Sequence, residues 1–431
     1  MRSSQKDEPA RSQPHPTPST ASRPPRVANV AKQRIMPIAY AKVLFGGGAR
    51  DERRFNEMVL RRLDADVSIT QLGRARSGLY LLTKYAVERG ERRKVIMSPY
   101  TIPDVVIMVV LAGGEPVFYD FEPNSTFCDF NHLSSLIDDR TACVIVTHYH
   151  VNEARLSEIS ELCRSHGALL FDDCAIAFGG AVDGRPIGAL TDASVFSFSS
   201  FKLLNFFWGG MITTRDPSIA AFVDEMAASW PRLTLKDYAA QAKTCLKYDM
   251  ATRPVVFRAV VMPMLRKRAE QTNRSNTLER FRIESTELDV SLTSRPNYAA
   301  FVEWTRKLEK VDAWLARRRM IAQIYHRRLG ERMVSSPISD AQFHESCFVN
   351  YPVIVNPASR DAICREMLLS GFDIGRNLYP NVHRHLEFVH AAGASENVER
   401  LTLSSVYLPT HFGVSESYAE AISIKLAELI S

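Results

Sequence analysis

From Val95 onwards the chain alternates short apolar runs with stretches of helical periodicity. The runs predict strands over 94–97, 116–120, 143–149, 168–173, 194–198 and 211–214. Between them 103–111 and 156–166 read as helices, the second with Ile159, Leu162 and Cys163 on one face. Strand–helix–strand repetition of this kind means an α/β architecture around a mostly parallel sheet. The last two strands lie close together in sequence, so one of them is expected to run antiparallel. Ligands of such sheets gather at the carboxyl ends of the strands, which directs attention to 149–152, 172–175 and 197–202. Later, Phe301, Trp304, Leu308, Val311 and Leu315 recur at helical spacing. They predict one long amphipathic helix over 297–328, leading into a small α/β unit from about Phe348 to the end.

Upstream of this pattern, residues 1–37 are rich in proline and serine and poor in aliphatics, too little apolar surface to repay the entropy of ordering. They are expected to be a disordered tail. The predicted organisation is therefore a tail over 1–37, a large domain over 38–300 with an insertion at about 216–290, and a linker helix with a small C-terminal domain over 301–431. Gly46-Gly47-Gly48 matches neither a Walker loop nor a dinucleotide fingerprint and reads as a turn.

Composition narrows the picture. The 431 residues are 45% hydrophobic and 24% charged, which excludes a disordered or collagen-like chain. No apolar run reaches the roughly 18–20 residues of a membrane span. The formal charge of +6 is unevenly placed: 1–37 carries a net +5 and 236–280 a net +6, leaving −5 for the remainder. A basic protein invites a nucleic-acid reading, but no nucleic-acid motif accompanies either segment. Seven scattered cysteines without a CxxC pair argue against a disulfide framework or a zinc knuckle and fit a reduced, cytoplasmic setting. The N-terminus lacks the apolar core of a secretory signal.

Four groups of residues carry candidate chemistry. Asp172 and Asp173 close an apolar run, where a carboxylate serves either as a turn cap or as a ligand contact. Lys202 lies among Phe198, Phe201, Leu203 and Leu204. It either snorkels to the surface or is desolvated into the neutral amine that an aldehyde requires. His148 and His150, two apart on a predicted strand, share a face and together with the aspartates suggest a metal site or a core histidine with a loop partner. Arg76-Ser77-Gly78 opens a helical run and offers free amides to a phosphate, although serine is also an ordinary N-cap.

Taken in order, these pieces resemble the DegT–DnrJ–StrS family of pyridoxal-phosphate (PLP) sugar aminotransferases, which have the fold-type I architecture. The resemblance runs from about Ser77 to the C-terminus. It rests on Ser77-Gly78, Ser98-Pro99-Tyr100-Thr101, the run from Ala112 to Asp120, Thr147-His148-Tyr149 and Asp172-Asp173-Cys174-Ala175. Ser197-Phe198, Lys202, Gly209-Gly210, Leu378-Tyr379-Pro380 and Val406-Tyr407-Leu408-Pro409 complete it. It implies a large domain with a mostly parallel, seven-stranded-type sheet plus a small C-terminal α/β domain. Lys202 would carry PLP as a Schiff base and move the proton between coenzyme and substrate carbons. Asp173 would pair with the pyridine nitrogen, Ala175 would pack on a ring face, and Ser197 with the Ser77-Gly78 turn would hold the phosphate. Thr101, Ile102 and Ile176 fall at further cofactor-contacting positions. No metal is implied.

The expected reaction passes an amino group from L-glutamate to a keto-sugar, nucleotide-linked, for surface-polysaccharide or secondary-metabolite biosynthesis, by a homodimer. The alternatives are a non-catalytic PLP- or sugar-binding regulator and a PLP-dependent sugar dehydratase; the dehydratases replace the lysine with histidine, so Lys202 counts against that route.

The departures from the family pattern are Ile102 where an aromatic usually follows the threonine, Ile176 in place of a Gln or His, Cys174 for alanine, and Phe207-Trp208 before the paired glycines. Thr293 stands where an asparagine often reaches the partner's phosphate, although Arg295 fits. The insertion has apolar residues flanked by basic ones over 250–268. That segment reads either as a lid or dimer-packing helix or as a peripheral contact with the inner membrane face.

Overall fold

A computed structural model of the protein describes residues 48–63, 66–199, 202–206, 208–251, 253–272, 287–288, 292–376, 379–385, 388 and 390–431. The tail over 1–37, and Phe207 and Leu378 of the motifs, lie outside the described residues.

Two elements precede those read from the sequence. Helix α1 (Ala49–Leu63) has Asp51 and Glu52 in its first turn and Arg61 and Arg62 in its last, complementing the helix dipole. It buries Phe55, Val59 and Leu63 at four-residue spacing. Strand β1 (Ser68–Leu72) follows, then α2 (Ala75–Glu88), β2 (Lys94–Met97), α3 (Pro103–Leu111) and β3 (Glu115–Phe118). Next come α4 (Phe130–Leu136), β4 (Thr141–Thr147), α5 (Leu156–Ser165) and β5 (Leu169–Asp173). A small hairpin, β6 (Ala181–Val182) and β7 (Arg185–Pro186), precedes β8 (Ala193–Ser197) and β9 (Gly210–Thr214).

The main sheet runs β1-β9-β8-β5-β4-β2-β3 and ends on β11 (Ala392–Gly393), a two-residue edge supplied from the C-terminal part. Strand β9 pairs antiparallel with both β1 and β8, while the other neighbours are parallel, as the short β8–β9 connection implied. Both faces are covered, which is why the strands read as continuous apolar runs. In β2, Val95 and Met97 join the core under α2 and α3, whereas Ile96 joins the opposite core with Val144, Val146, Leu170 and Ile159 of α5.

Strand β4 ends at Thr147 instead of reaching 149, so His148 and His150 belong to a loop and not to one strand face. The reason is at Asp173: its backbone carbonyl accepts the His148 N–H at 3.0 Å as the ladder runs out.

After β9 the chain forms α6 (Pro217–Ser229), then α7 (Leu235–Ala251), α8 (Pro254–Val256), a π-helical turn (Phe257–Val261) and α9 (Met262–Thr272). The single helix expected over 297–328 is two, α10 (Tyr298–Leu308) and α11 (Val311–Leu329). Lys310 N–H closes a tight turn on the Lys307 carbonyl at 2.9 Å. The break lets α10 pack on α1 while α11 turns to the final helix.

The C-terminal part adds α12 (Asp340–Glu345), β10 (Asn350–Ile354), α13 (Arg360–Leu369), α14 (Glu396–Ser404), β12 (Ser405–Pro409) and α15 (Glu416–Ile430), with β10 and β12 pairing antiparallel. Asp120 ties it to the main sheet: its carboxylate accepts the N–H groups of Asn397 and Val398, at 2.9 and 3.0 Å, in the first turn of α14. No helix among the described residues is long and apolar enough to cross a membrane. All seven cysteines are free and buried.

Candidate active site

The carboxyl end of β5 meets Lys202, which follows β8, and the first turn of α2 packs on β8 and β9. Asp173, the last residue of β5, is buried, and one carboxylate oxygen accepts the Ala175 N–H at 3.0 Å. Burial pushes its carboxyl upward, opposed by that hydrogen bond and by the positive charge of Lys202. Lys202 follows β8 in a turn closed by its own N–H on the Ser199 carbonyl at 3.1 Å. Desolvation lowers its amine to about 8 against the pull of Asp173. At pH 7 roughly one such amine in ten is neutral, against fewer than about one in a thousand for an ordinary lysine.

The α2 terminus approaches from the sheet side. Arg74 at its N-cap supplies no side-chain cap, which leaves first-turn amides for a ligand. Gly78 packs so close that a Cβ there would lie 3.1 Å from Val195 and 3.2 Å from Ile212. The Ser77 hydroxyl is committed to the Leu292 carbonyl, so an anion here would meet the turn's backbone and not that side chain. The paired glycines are sterically required: Gly209 has φ +116° under the Trp304 ring, and a Cβ on Gly210 would fall 2.5 Å from the Ala75 backbone. Ser197 ends β8, its hydroxyl donating to Ser199 Oγ at 3.2 Å.

The other sequence candidates take different places. Ile102 is the N-cap of α3 and packs on the α2–α3 core, next to buried Thr101. Ala175 is partly covered beside Asp173, while Ile176 joins the opposite core with Tyr100 and Tyr149, against which Tyr379 packs. These tyrosines are site residues that the sequence did not single out, although each sits inside a quoted motif. Tyr149 and Tyr379 both feel the Asp173 charge, and burial pushes both phenols up. Tyr149 donates to the Tyr100 carbonyl at 2.7 Å, and the hydroxyls of Tyr100 and Tyr407 meet at 2.6 Å.

Two further braces come from distant sequence. Arg76, partly buried, and buried Asp104 form an ion pair at 2.7 Å between the starts of α2 and α3. Lys307 of α10 donates to the carbonyl of Asn205 and, at 2.9 Å, to its side-chain oxygen, holding the loop that follows Lys202.

The proposed metal grouping separates. His150 packs against Tyr407 with ring centroids 4.9 Å apart, and burial lowers its imidazole to about 3. His148, Asp172 and Cys174 do lie together, on the sheet face opposite Asp173. However, His148 Nδ1 accepts the Glu153 N–H at 3.2 Å, which places the proton of the neutral ring on Nε2, the atom 3.6 Å from Asp172. Burial also holds the Cys174 thiol protonated. A protonated nitrogen and a protonated sulfur make a poor ligand set.

Comparison with known proteins agrees with this architecture. The model of the DegT/DnrJ/EryC1/StrS aminotransferase family matches residues 50–236 and 298–426. The chain is 26% identical over 353 residues to dTDP-3-amino-3,4,6-trideoxy-alpha-D-glucose transaminase of Micromonospora megalomicea subsp. nigra, covering 79% of this chain and 80% of that protein. It is 24% identical over 356 residues to GDP-perosamine synthase of Caulobacter vibrioides, covering 81% and 82%. Among solved structures, Helicobacter pylori PseC, an aminotransferase involved in the biosynthesis of pseudoaminic acid, superposes with a TM-score of 0.72 at 16% identity, over 95% of this chain and 99% of that one. DesI in the presence of its TDP-sugar product gives 0.68 at 19% identity, over 94% and 92%. The fold is fold-type I, as the motif order implied.

Proposed function

The chain belongs to the DegT/DnrJ/EryC1/StrS aminotransferase family, and from that premise we propose that it is a PLP-dependent enzyme passing an amino group from L-glutamate to a nucleotide-linked keto-sugar. The observation that carries this reading is the pair at the sheet's carboxyl edge: a lysine amine lowered to about 8 within the field of a buried carboxylate.

The residues fit PLP. Asp173 has one oxygen engaged by Ala175 N–H, and its charge matches a protonated pyridine nitrogen. The uncapped first turn of α2 offers amides to a phosphate, and Ser197 at the end of β8 would add its hydroxyl on releasing Ser199 Oγ. Of the further sequence candidates, Ala175 adjoins the carboxylate, while Ile102 and Ile176 pack into separate cores. When bound, PLP supplies an aldehyde and an electron sink. The protein's own part follows. Neutral Lys202 Nζ acts as nucleophile, and later takes a proton from the substrate carbon and returns one. Asp173 holds a positive charge at the ring nitrogen. Tyr149 and Tyr379 exclude water from the carboxylate, and the Lys307 clamp keeps the Lys202 loop in place. The sugar substrates named for the relatives, a dTDP-sugar transaminase and a GDP-perosamine synthase, support a nucleotide-linked acceptor. A homodimer acting in surface-polysaccharide or secondary-metabolite biosynthesis completes the proposal.

Borohydride reduction of the PLP-loaded protein should fix the cofactor on the Lys202 peptide, read by mass spectrometry. Glutamate should convert bound PLP to the amine form, and a panel of nucleotide keto-sugars should reoxidise it. PLP that binds without becoming reducible onto Lys202 would overturn the assignment. Binding with no response to any amino donor would leave the regulator alternative in its place.

A further inference from the structure

The family model matches up to 236 and resumes at 298, so α7 to α9 are an addition to the shared fold. Their inner side is anchored. Cys245 is buried within the field of Lys307, Gln241 accepts from Asn297 at 2.6 Å, and Phe257, Met262 and Leu265 pack on Leu368 of α13.

Their outer side is unlike the rest of the surface. Seven of the eleven exposed large hydrophobic residues among the described residues fall within 235–264. Leu235, Leu246 and Met250 lie along one stripe of α7, at spacings of eleven and four. Val255, Val260 and Met264 continue the apolar surface over the next helical segment, with Val255 78% exposed. Residues 235–267 hold seven Lys and Arg against two Asp. Both acids are occupied: Asp237 caps the start of α7 through Thr234, and Asp249 is buried against Arg253 at 3.1 Å. Lys236, Lys243, Lys247, Arg258 and Lys267 therefore flank the apolar stripe as an exposed cationic rim.

We propose that this face is a docking surface for anionic lipid bilayers. Charge complementarity selects the occupant. A second copy related by a two-fold axis would bring the same cationic patch against itself, which repels. Nucleic acid satisfies the rim but leaves the valines and methionines in water. An anionic bilayer meets both, with lipid phosphates at the rim and the acyl boundary beneath the apolar stripe. The helices would lie in the interface without crossing it, linked to the loop that follows Lys202 through Cys245, Lys307 and Asn205.

The test is co-sedimentation of the full chain with vesicles of phosphatidylcholine alone and of phosphatidylcholine with phosphatidylglycerol. Binding is expected to the anionic vesicles only, and to fall with added salt. Combining Lys243→Ala, Lys247→Ala and Arg258→Ala should weaken it by roughly one to two orders of magnitude, at about fivefold per charge. Val260→Glu with Met264→Glu should abolish it while leaving glutamate-dependent transamination and the light-scattering mass unchanged. Absence of wild-type binding, or binding unmoved by these variants, overturns the proposal. A changed mass in the double glutamate variant would assign the face to subunit contact. Equal affinity for duplex DNA, lost in the charge variants but kept by the double glutamate variant, would assign it to polyanions. Either outcome overturns the lipid surface without touching the proposed transamination.

Discussion

Asp172 and Asp173 are consecutive on β5 and lie on opposite faces of one sheet; both charges reach His148 and Cys174, yet their closest partners differ. On the α2 side, Asp173 meets a lysine and a backbone N–H, and at the strand end its charge also reaches Tyr149 and Tyr379 of the opposite core. On the α5 side, Asp172 meets an imidazole Nε2 and a protonated thiol inside a closed core, without an opening to substrate. In the proposed reaction a carboxylate of the same type serves chemistry on one face and packing on the other. What separates them is access and partner charge, not residue identity.

The sharpest way to break this contrast is to remove its partner on the working face. Lys202→Ala should cost at least roughly 10³-fold in glutamate-dependent turnover, followed by the loss of the PLP absorbance in single turnovers. A smaller loss would mean that the buried amine is not the reacting group. Next, Asp173→Asn should lower turnover about 10²–10³-fold while the thermal midpoint changes little. Asp172→Asn should leave turnover within a few-fold of wild type, because its carboxylate is fully buried and neither oxygen makes a hydrogen bond among the described residues that the amide would lose. Equal loss of turnover from both would erase the distinction between the faces.

The amine itself sets a pH dependence. Because attack on an aldehyde needs neutral Lys202 and its folded value is lowered to about 8, the rate of PLP uptake by the apoenzyme should rise about tenfold per pH unit below 8 and level off above it. A rise continuing towards 10.5, the ordinary lysine value, would show that burial is not what tunes it. The smallest expected effect belongs to the clamp. Lys307→Met leaves the Asn205 oxygens without their donor, which should cost about 1–3 kcal/mol and slow turnover only a few-fold, read together from denaturation and steady-state rates.

The sequence was most informative where chemistry and local periodicity coincide. Asp173, Lys202 and the paired glycines were legible because each has a required residue type at a fixed distance from a strand end. The paired strands were legible because both faces are buried, and their ends moved by only one or two residues. The last strand turn of β4 was not: nothing local says that Thr147 is the final ladder residue, so His148 and His150 were placed on one face when the loop sends them apart. The α10–α11 break was equally silent, having neither glycine nor proline. Helix α1 and strand β1 escaped because they precede the regular alternation.

The sequence by itself determined the α/β class, an antiparallel pairing between its last two strands, the lysine and aspartate that the family resemblance selects, and the basic, apolar insertion, since these depend on residue type and short spacing. Only the tertiary structure decided that Asp173 is buried within the field of Lys202 and which tautomer His148 adopts. It also decided that Tyr379 and Lys307, 206 and 105 residues beyond Asp173 and Lys202 along the chain, pack around the candidate site. The physical reason is desolvation. A lysine value near 8 arises from everything packed around the amine, and that packing is brought together by contacts remote in sequence.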